Sequence, residues 1–136
     1  MIQFTVPGEP KGKGRPRMTK QGHAFTPKDT VNYENWVKTC FLSSQQPRFT
    51  DPDQPLCADI TAYMAIPASA TKKKREAMLS GLIRPTKKPD RDNIEKIVLD
   101  SLNGIAYPDD KQVTDGEFKK RYSDNPRVEI TIKSAV

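Results

Sequence analysis

The sequence predicts an α+β fold (mixed α/β): one domain over residues 1–136, in which a single mixed β-sheet is covered by helices. Segments that alternate apolar and polar residues, as strands do, are interspersed with segments that repeat apolar residues at helical spacing. No internal repeat occurs, and no linker is long enough to separate two domains. A chain of 136 residues buries one modest core.

Three segments show the apolar alternation of half-buried strands: MIQFTV at residues 1–6, LCADITAYMAIP at residues 56–67 and RVEITIK at residues 127–133. Residues 111–123 predict one more strand, although their apolar pattern is poor. Residues 7–25 are rich in glycine and proline, and this predicts a loop with a short irregular hairpin.

Two segments that precede residue 82 are predicted to form helices. The first helix follows Phe25, with Thr26 as its N-cap and Pro27 as its first residue. Its apolar face consists of five residues at helical spacing: Tyr33, Trp36, Val37, Cys40 and Phe41. Residues 69–81, SATKKKREAMLSG, predict a short basic helix that ends at Gly81.

A third helix is predicted to begin at Asp90 or Asp92 and to end at Asn103. Gly104 suits the left-handed residue that closes such a helix. Its core-facing residues are Ile94, Ile97, Val98 and Leu102. With the strands, these helices give the order β-α-β-α-α-β-β.

The net charge of the chain indicates which class of molecule it binds. Lys and Arg number 23 against 17 Asp and Glu, so the formal net charge is +6. This excess favours a polyanionic partner, and nucleic acid fits better than a membrane because no apolar run approaches the roughly 20 residues that span a bilayer. We see no signal peptide and expect a soluble, cytoplasmic protein. Two cysteines without a C-x-x-C motif and one histidine exclude a zinc set.

Carboxylates nevertheless gather in the segment KPDRDNIEKIVLDSL, residues 88–102. Asp92, Lys96 and Asp100 follow one another at i, i+4 and i+8, opposite the apolar face of the third helix. Downstream, Asp109 and Asp110 stand in a turn. A strand that leaves this turn and runs back along the helix would bring Asp110 near the start of the helix.

Two explanations of these carboxylates remain open on spacing alone. Aspartate is a favoured N-cap, an Asp92–Lys96 pair would be an ordinary surface ion pair, and PDD is good turn chemistry. Alternatively, converging carboxylates bind Mg²⁺ for phosphodiester hydrolysis, with a lysine at the scissile phosphate. Residue spacing by itself favours the first explanation.

The ordered set of motifs favours the second. KPDRDNIEKIVLDSLNGIAYPDDKQV, residues 88–113, closely resembles the signature of the RusA family of Holliday junction resolvases, common in phages and prophages. That signature is an Asp-x-Asp-Asn at a helix start, a lysine four residues on, an Asp-[Ala/Ser]-Leu segment, and an Asp-Asp before x-Gln-Val. PGEPKGKGRPRM and FTPKDTVNYENW also resemble the phage branch of the family.

The resemblance implies a RusA-like fold and a function. It implies that Asp90, Asp92 and Asp110 bind Mg²⁺, with Mn²⁺ as a substitute, and that Lys96 is catalytic. It further implies a homodimer that resolves four-way junctions in branched DNA by paired symmetric nicks, in recombination or repair, with no small-molecule cofactor.

Two basic segments are candidates for DNA contact. In the loop KGKGRPR, Lys11, Lys13, Arg15 and Arg17 alternate with glycine and proline, and the glycines would let the backbone approach phosphates. In KKKR, the candidates are Lys72, Lys73, Lys74 and Arg75. A solvated loop and an exposed helix face are the respective alternatives.

Several roles have two interpretations. Asp109 is a turn residue or an extra metal ligand, and the turn is favoured. Asp100 orients Lys96 or completes a polar network. Tyr107 stacks on an unpaired base or packs in the core. At the level of function, a flap or branched-DNA nuclease of other preference and a non-catalytic basic DNA-binding protein are the alternatives.

Overall fold

The computed structural model describes all residues, 1–136. Its strands are β1 (Ile2–Pro7), β2 (Arg17–Met18), β3 (Ala24–Phe25), β4 (Leu56–Ala65), β5 (Val113–Asp115), β6 (Phe118–Ser123) and β7 (Arg127–Ser134). Its helices are α1 (Lys28–Ser43), α2 (Lys72–Leu79) and α3 (Arg91–Leu102), with a 3₁₀ turn at Asp110–Gln112. The predicted α+β fold class is confirmed.

The main sheet is mixed. β7 lies between β1 and β4 and is antiparallel to both, whereas β5 and β6 are parallel to the other edge of β4. The register places Ile132 of β7 directly between Ile2 and Ala58. Alternate residues of these strands are buried on one face, as period-2 patterning requires.

Helices α1 and α3 cover that buried face. Their apolar stripes join the strand residues in one core that includes Val37, Phe41, Ile97 and Leu102. The rings of Phe4 and Phe41 meet edge to face, with centroids 5.5 Å apart. The two helices also pack against each other.

Two local predictions are wrong. Thr26 does not cap α1: Pro27 occupies the N-cap position with an extended backbone, and no side chain caps the helix. Trp36 lies at the margin of the apolar face: it is 42% exposed, and its indole N–H donates to the carbonyl of Pro7 at 2.8 Å.

Residues 111–123 form two strands rather than one. Gly116 separates β5 from β6 with φ +148°, and a Cβ at this position would lie 1.9 Å from the carbonyl oxygen of Ala58. Only glycine fits such a close approach, so the chain bends here and resumes its parallel pairing with β4 at Phe118.

Other predicted features are confirmed. Residues 7–25 contain the short hairpin β2–β3, Gly81 follows the end of α2 with φ +84°, and Gly104 follows α3 with φ +75°. None of the helices has both the length and the apolar character needed to cross a membrane.

Candidate active site

The start of α3 presents two exposed carboxylates. Asp90 occupies the N-cap position, yet its side chain makes no capping hydrogen bond, and Asp92 lies in the first turn. Neither residue forms an ion pair, and neither does the exposed Lys96 one turn further on. The structure therefore shows neither the side-chain cap at Asp90 nor the Asp92–Lys96 surface pair.

Asp109 has the role of a turn residue. Its carboxylate accepts a hydrogen bond from the backbone N–H of Lys111 at 3.0 Å, and Gln112 Oε1 accepts one from the N–H of Asp109 at 3.0 Å. This reciprocal capping box starts the 3₁₀ turn. The hydrogen bond from Lys111 holds the pKa of Asp109 below its ordinary value. The turn interpretation of Asp109 is thus supported.

Asp110 faces Asp100 of α3. Partial burial raises the pKa of Asp110, and hydrogen bonds and charge repulsion involving Asp100 and Asp109 raise it further. The repulsion between the two carboxyl groups disfavours the ionised form of Asp110. Asp100 and Asp110 are therefore a carboxyl pair at the C-terminal half of α3.

Lys13 bridges this pair to α1. Its Nζ lies 3.1 Å from Glu34 Oε2 and 3.4 Å from Asp100 Oδ2. Burial alone would lower the pKa of Lys13, but the hydrogen bonds and charges of Glu34 and Asp100 outweigh it, so that its pKa is raised. Its backbone N–H also donates to the carbonyl of Asn93 at 2.9 Å. Lys13 is held inside the protein by both its backbone and its side chain.

The glycines beside Lys13 let this segment pack against its own chain. A Cβ at Gly12 would lie 2.9 Å from Pro89 Cβ, and one at Gly14 would lie 2.5 Å from the Thr30 hydroxyl oxygen. That hydroxyl accepts a hydrogen bond from the backbone N–H of Gly14 at 3.0 Å. The glycines thus allow close approach of this segment to α1 and α3.

An open cleft of about 690 Å³ lies between this segment and the start of α3. Basic side chains outnumber acidic ones in its lining: Lys11, Lys13, Arg15 and Lys88 against Glu9 and Asp90. Of the basic residues, only Lys13 is engaged in an ion pair. The cleft therefore offers free positive charge beside one of the exposed carboxylates.

The three predicted metal ligands do not form one cluster. Asp110 contacts Asp100, which lies eight residues, or about 12 Å of helix, beyond Asp92. No three acidic, histidine or cysteine side chains are arranged to hold a metal ion. The amide of Gln112 donates to the carbonyls of Asp51 and Gln54 at 2.8 and 3.1 Å, and this anchors the turn near the C-terminal half of α3.

The chain beyond the turn does return along α3. The guanidinium of Arg91 lies over the ring of Phe118 at 5.5 Å, and Lys120 Nζ donates to the carbonyl of Pro89 at 2.9 Å. The expected return of a strand is therefore observed. Asp110 stands at the beginning of that return and not beside the start of the helix.

The remaining predicted DNA contacts are distributed over the surface. Lys11, Arg15 and Arg17 are exposed and form no ion pair, and the same holds for the three lysines at the start of α2, Lys72, Lys73 and Lys74. Arg75 differs, because its guanidinium pairs with Asp124.

Tyr107 packs in the core. It is 2% exposed, and its hydroxyl donates to the carbonyl of Leu99 at 2.6 Å. Burial, together with the charge of Asp110, raises its pKa. The stacking interpretation is wrong, because no face of this ring is open to solvent.

Comparison with known proteins decides the family. Endodeoxyribonuclease RusA is the family that matches, over residues 7–133. The chain belongs to the RusA family of endodeoxyribonucleases. The RusA resemblance seen at residues 88–113 is confirmed, and the match extends over nearly the whole chain. The uncharacterized protein YqaN of Bacillus subtilis (strain 168) is 40% identical over 137 residues, which cover 97% of this chain and 95% of the relative.

In this RusA-family chain, sequence reasoning missed the partners of Lys13. Glu34 lies in the FTPKDTVNYENW segment that resembles the phage branch of the family, but it was assigned no role of its own. Asp100 was expected to orient Lys96 or to complete a polar network, and Lys13 was not expected as its partner. Carboxylate oxygens are the type of ligand that hard cations such as Mg²⁺ prefer. A cation bound at Asp100 and Asp110 would also relieve the repulsion between these two carboxyl groups.

Replacing Lys13 tests the bridge. We expect Lys13→Met to lower the free energy of unfolding at pH 7 by about 1–2 kcal/mol, between the values for exposed and buried ion pairs, because Glu34 and Asp100 lose their shared cation. Urea unfolding at low salt measures the change.

Lys11→Met is the matched control, because Lys11 lies in the same segment, is exposed and has no ion pair. It should change the free energy of unfolding by less than about 0.5 kcal/mol. In a double-mutant cycle, Lys13→Met and Glu34→Gln should be non-additive. Additive effects would contradict the bridge.

Proposed function

We propose that this protein is a Mg²⁺-dependent, structure-specific endodeoxyribonuclease that resolves four-way junctions in DNA recombination or repair, with residues 1–136 as one endonuclease domain. Membership of a family that acts on branched DNA supports this proposal. The observation that carries it is the cleft, in which Lys11, Arg15 and Lys88 surround Asp90 of the family motif. Basic side chains hold a phosphate backbone, and an adjacent carboxylate is the kind of group that binds a catalytic cation.

The proposed metal ligands are Asp90, Asp92 and Asp110, which the family motif selects. They do not form one cluster in the structure, so binding one ion would require their side chains to move together. Two features support this assignment: Asp90 and Asp92 are exposed and lack ion pairs, and Asp110 is already pressed against a second carboxyl group, that of Asp100. When bound, Mg²⁺ or Mn²⁺ would polarise the phosphate and activate a water molecule. Asp100 contributes negative charge beside Asp110 and links that end of α3 to Lys13.

Lys96 is the proposed catalytic lysine. Its position on the exposed stripe between Asp92 and Asp100, free of any ion pair, leaves its ammonium available to a DNA phosphate. A cation at the scissile phosphate stabilises the negative charge that develops in the transition state.

The set of residues proposed to contact phosphates differs from the sequence prediction in two respects. It gains Lys88, which lines the cleft, and it keeps Lys11, Arg15, Arg17 and the three lysines of α2. Lys13 and Arg75 are assigned to the protein's own carboxylates instead. A side chain already held by carboxylates contributes less to binding a phosphate backbone than a free one.

A homodimer completes the proposal. Resolution of a four-way junction requires two symmetric nicks in opposing strands, and a two-fold dimer provides two equivalent sites with matching symmetry.

A panel of labelled DNA structures tests the function. With Mg²⁺, we expect four-way junctions to be cut in preference to flaps, single strands and linear duplex, and a cruciform-bearing supercoiled plasmid to give linear product directly. Without divalent metal, cutting should stop and junction binding should remain. Preference for flaps, or persistent nicked circles from a protein that sediments as a monomer, would exclude a resolvase; no cutting in any condition would leave a non-catalytic DNA-binding protein.

Substitution of the carboxylates tests the site. Asp90→Asn, Asp92→Asn and Asp110→Asn should each lower the cleavage rate by more than about 100-fold, which exceeds the usual effect of changing an outer-shell partner of a metal. DNA binding should be unchanged or tighter, because negative charge near the phosphates is removed. Single-turnover cleavage and binding titrations give the two readouts.

Asp53→Asn is the control for this series, since Asp53 is exposed and forms no ion pair. It should cut at the wild-type rate. Wild-type cleavage by all three site variants would show that the motif carboxylates are not the active site.

Salt dependence tests the basic segment. Lys11→Ala, Arg15→Ala and Arg17→Ala should each reduce the slope of log K against log salt by about 0.9 on duplex DNA, the loss expected for one phosphate contact. Lys13→Ala should reduce it by clearly less, because its ammonium is already paired. Lys133→Ala, in β7 and paired with Asp59, is the control. Equal slopes for wild type and all variants would mean that the segment does not contact DNA.

A further inference from the structure

A second, smaller pocket lies beside the cleft and has a different lining. It has a volume of about 320 Å³ and is lined by Lys11, Asp29, Asn32, Tyr33 and Trp36. Four of these five residues belong to the first three turns of α1. The fifth, Lys11, also lines the cleft, so one lysine stands between the two concavities.

Trp36 is the one large aromatic ring of α1 that is both exposed and fixed. It is 42% exposed, and the hydrogen bond from its indole N–H to the Pro7 carbonyl, at 2.8 Å, holds the ring against β1. A ring held in this way loses little freedom when a flat ligand stacks on it. The core does not need the exposed part of this ring, because Val37 and Phe41 provide the buried contacts of the helix.

The other lining groups select a class of ligand. Tyr33 forms a buried wall, 7% exposed, and its hydroxyl is turned inward, towards the backbone of Lys11. Asn32 presents an amide with donors and an acceptor, and Asp29 presents a carboxylate that accepts hydrogen bonds. The carboxylate repels a phosphate from the pocket but not an uncharged aromatic ring that carries amino groups.

We propose that this pocket binds an unpaired nucleobase, which stacks on Trp36 while the phosphate of the same strand lies at Lys11. The proposal rests on the proposed function, since it requires DNA in the cleft. Aromatic side chains next to a basic groove are the general means by which proteins hold unpaired bases. A base inside a continuous duplex cannot enter, so the pocket favours DNA with unpaired or easily opened positions, such as the centre of a branch.

The chain has a single tryptophan, so intrinsic fluorescence reports on Trp36 alone. The protein, residues 1–136, is titrated with a single-stranded 12-mer, the matching linear duplex and a four-way junction, in EDTA to prevent cleavage. We expect the 12-mer and the junction to quench the emission strongly and the duplex to quench it little. Fluorescence anisotropy of labelled DNA measures binding in parallel.

Substitutions supply the second readout. Trp36→Ala should weaken binding of the 12-mer by about 5- to 150-fold, the range expected for loss of one stacked base, and should weaken duplex binding by less than about twofold. Trp36→Phe keeps an aromatic ring and should retain most of the affinity. Val31→Ala is the control, because Val31 is 40% exposed on α1 but does not line the pocket.

The outcomes separate the two proposals. Binding by anisotropy without quenching, and with equal 12-mer affinity for wild type and Trp36→Ala, would overturn the base site and leave the nuclease function standing. No binding to any DNA would overturn both. Emission that changes with protein concentration in the absence of DNA, together with a lower sedimentation coefficient for Trp36→Ala, would assign Trp36 to a contact between two copies and overturn the base site.

Discussion

The arrangement of the candidate site depends on one close contact: residues 10–15 lie between the starts of α1 and α3. Glycine at positions 12 and 14 leaves room for Pro89 and for the Thr30 hydroxyl, and no larger residue fits unless these neighbours shift. Lys13, between the glycines, then reaches Glu34 and Asp100. This contact places residues 10–15 along the wall of the cleft and pairs Lys13 with the protein's own carboxylates, whereas Lys11 and Arg15 stay exposed.

The same contact explains how a basic protein accommodates a group of carboxylates. Asp100 and Asp110 face each other at one end of α3, and their mutual repulsion is offset from one side by the Lys13 ammonium. Towards the start of the helix the carboxylates of Asp90 and Asp92 have no such partner. Near the C-terminal end of α3 the negative charge of the carboxylates is therefore offset by Lys13. At the N-terminal end the negative charge is not offset by an ion pair, and this end borders the basic cleft.

The sequence predicted features that depend on local pattern. Alternation identified β1, β4 and β7, and the apolar spacing of Ile94, Ile97 and Val98 placed α3 to within a residue or two of its ends. Features that depend on contacts between distant segments were missed. Lys13 and Glu34 are 21 residues apart, Gln112 anchors its turn to Asp51 across 61 residues, and Gly116 breaks a strand because Ala58 approaches it. No periodicity in the chain records such contacts, so the position of Asp110 relative to α3 could not be predicted.

The placement of β7 between β1 and β4 governs when this enzyme assembles. The first strand has no other neighbour in the sheet, and its partner is made of residues 127–134. Pairing across almost the whole chain is entropically costly and slow to form. A chain without β7 would leave β1 with no hydrogen-bonded neighbour and the sheet under α1 and α3 incomplete. The complete sheet therefore forms only after residues 127–134 have found their place, whatever the order in which the helices form.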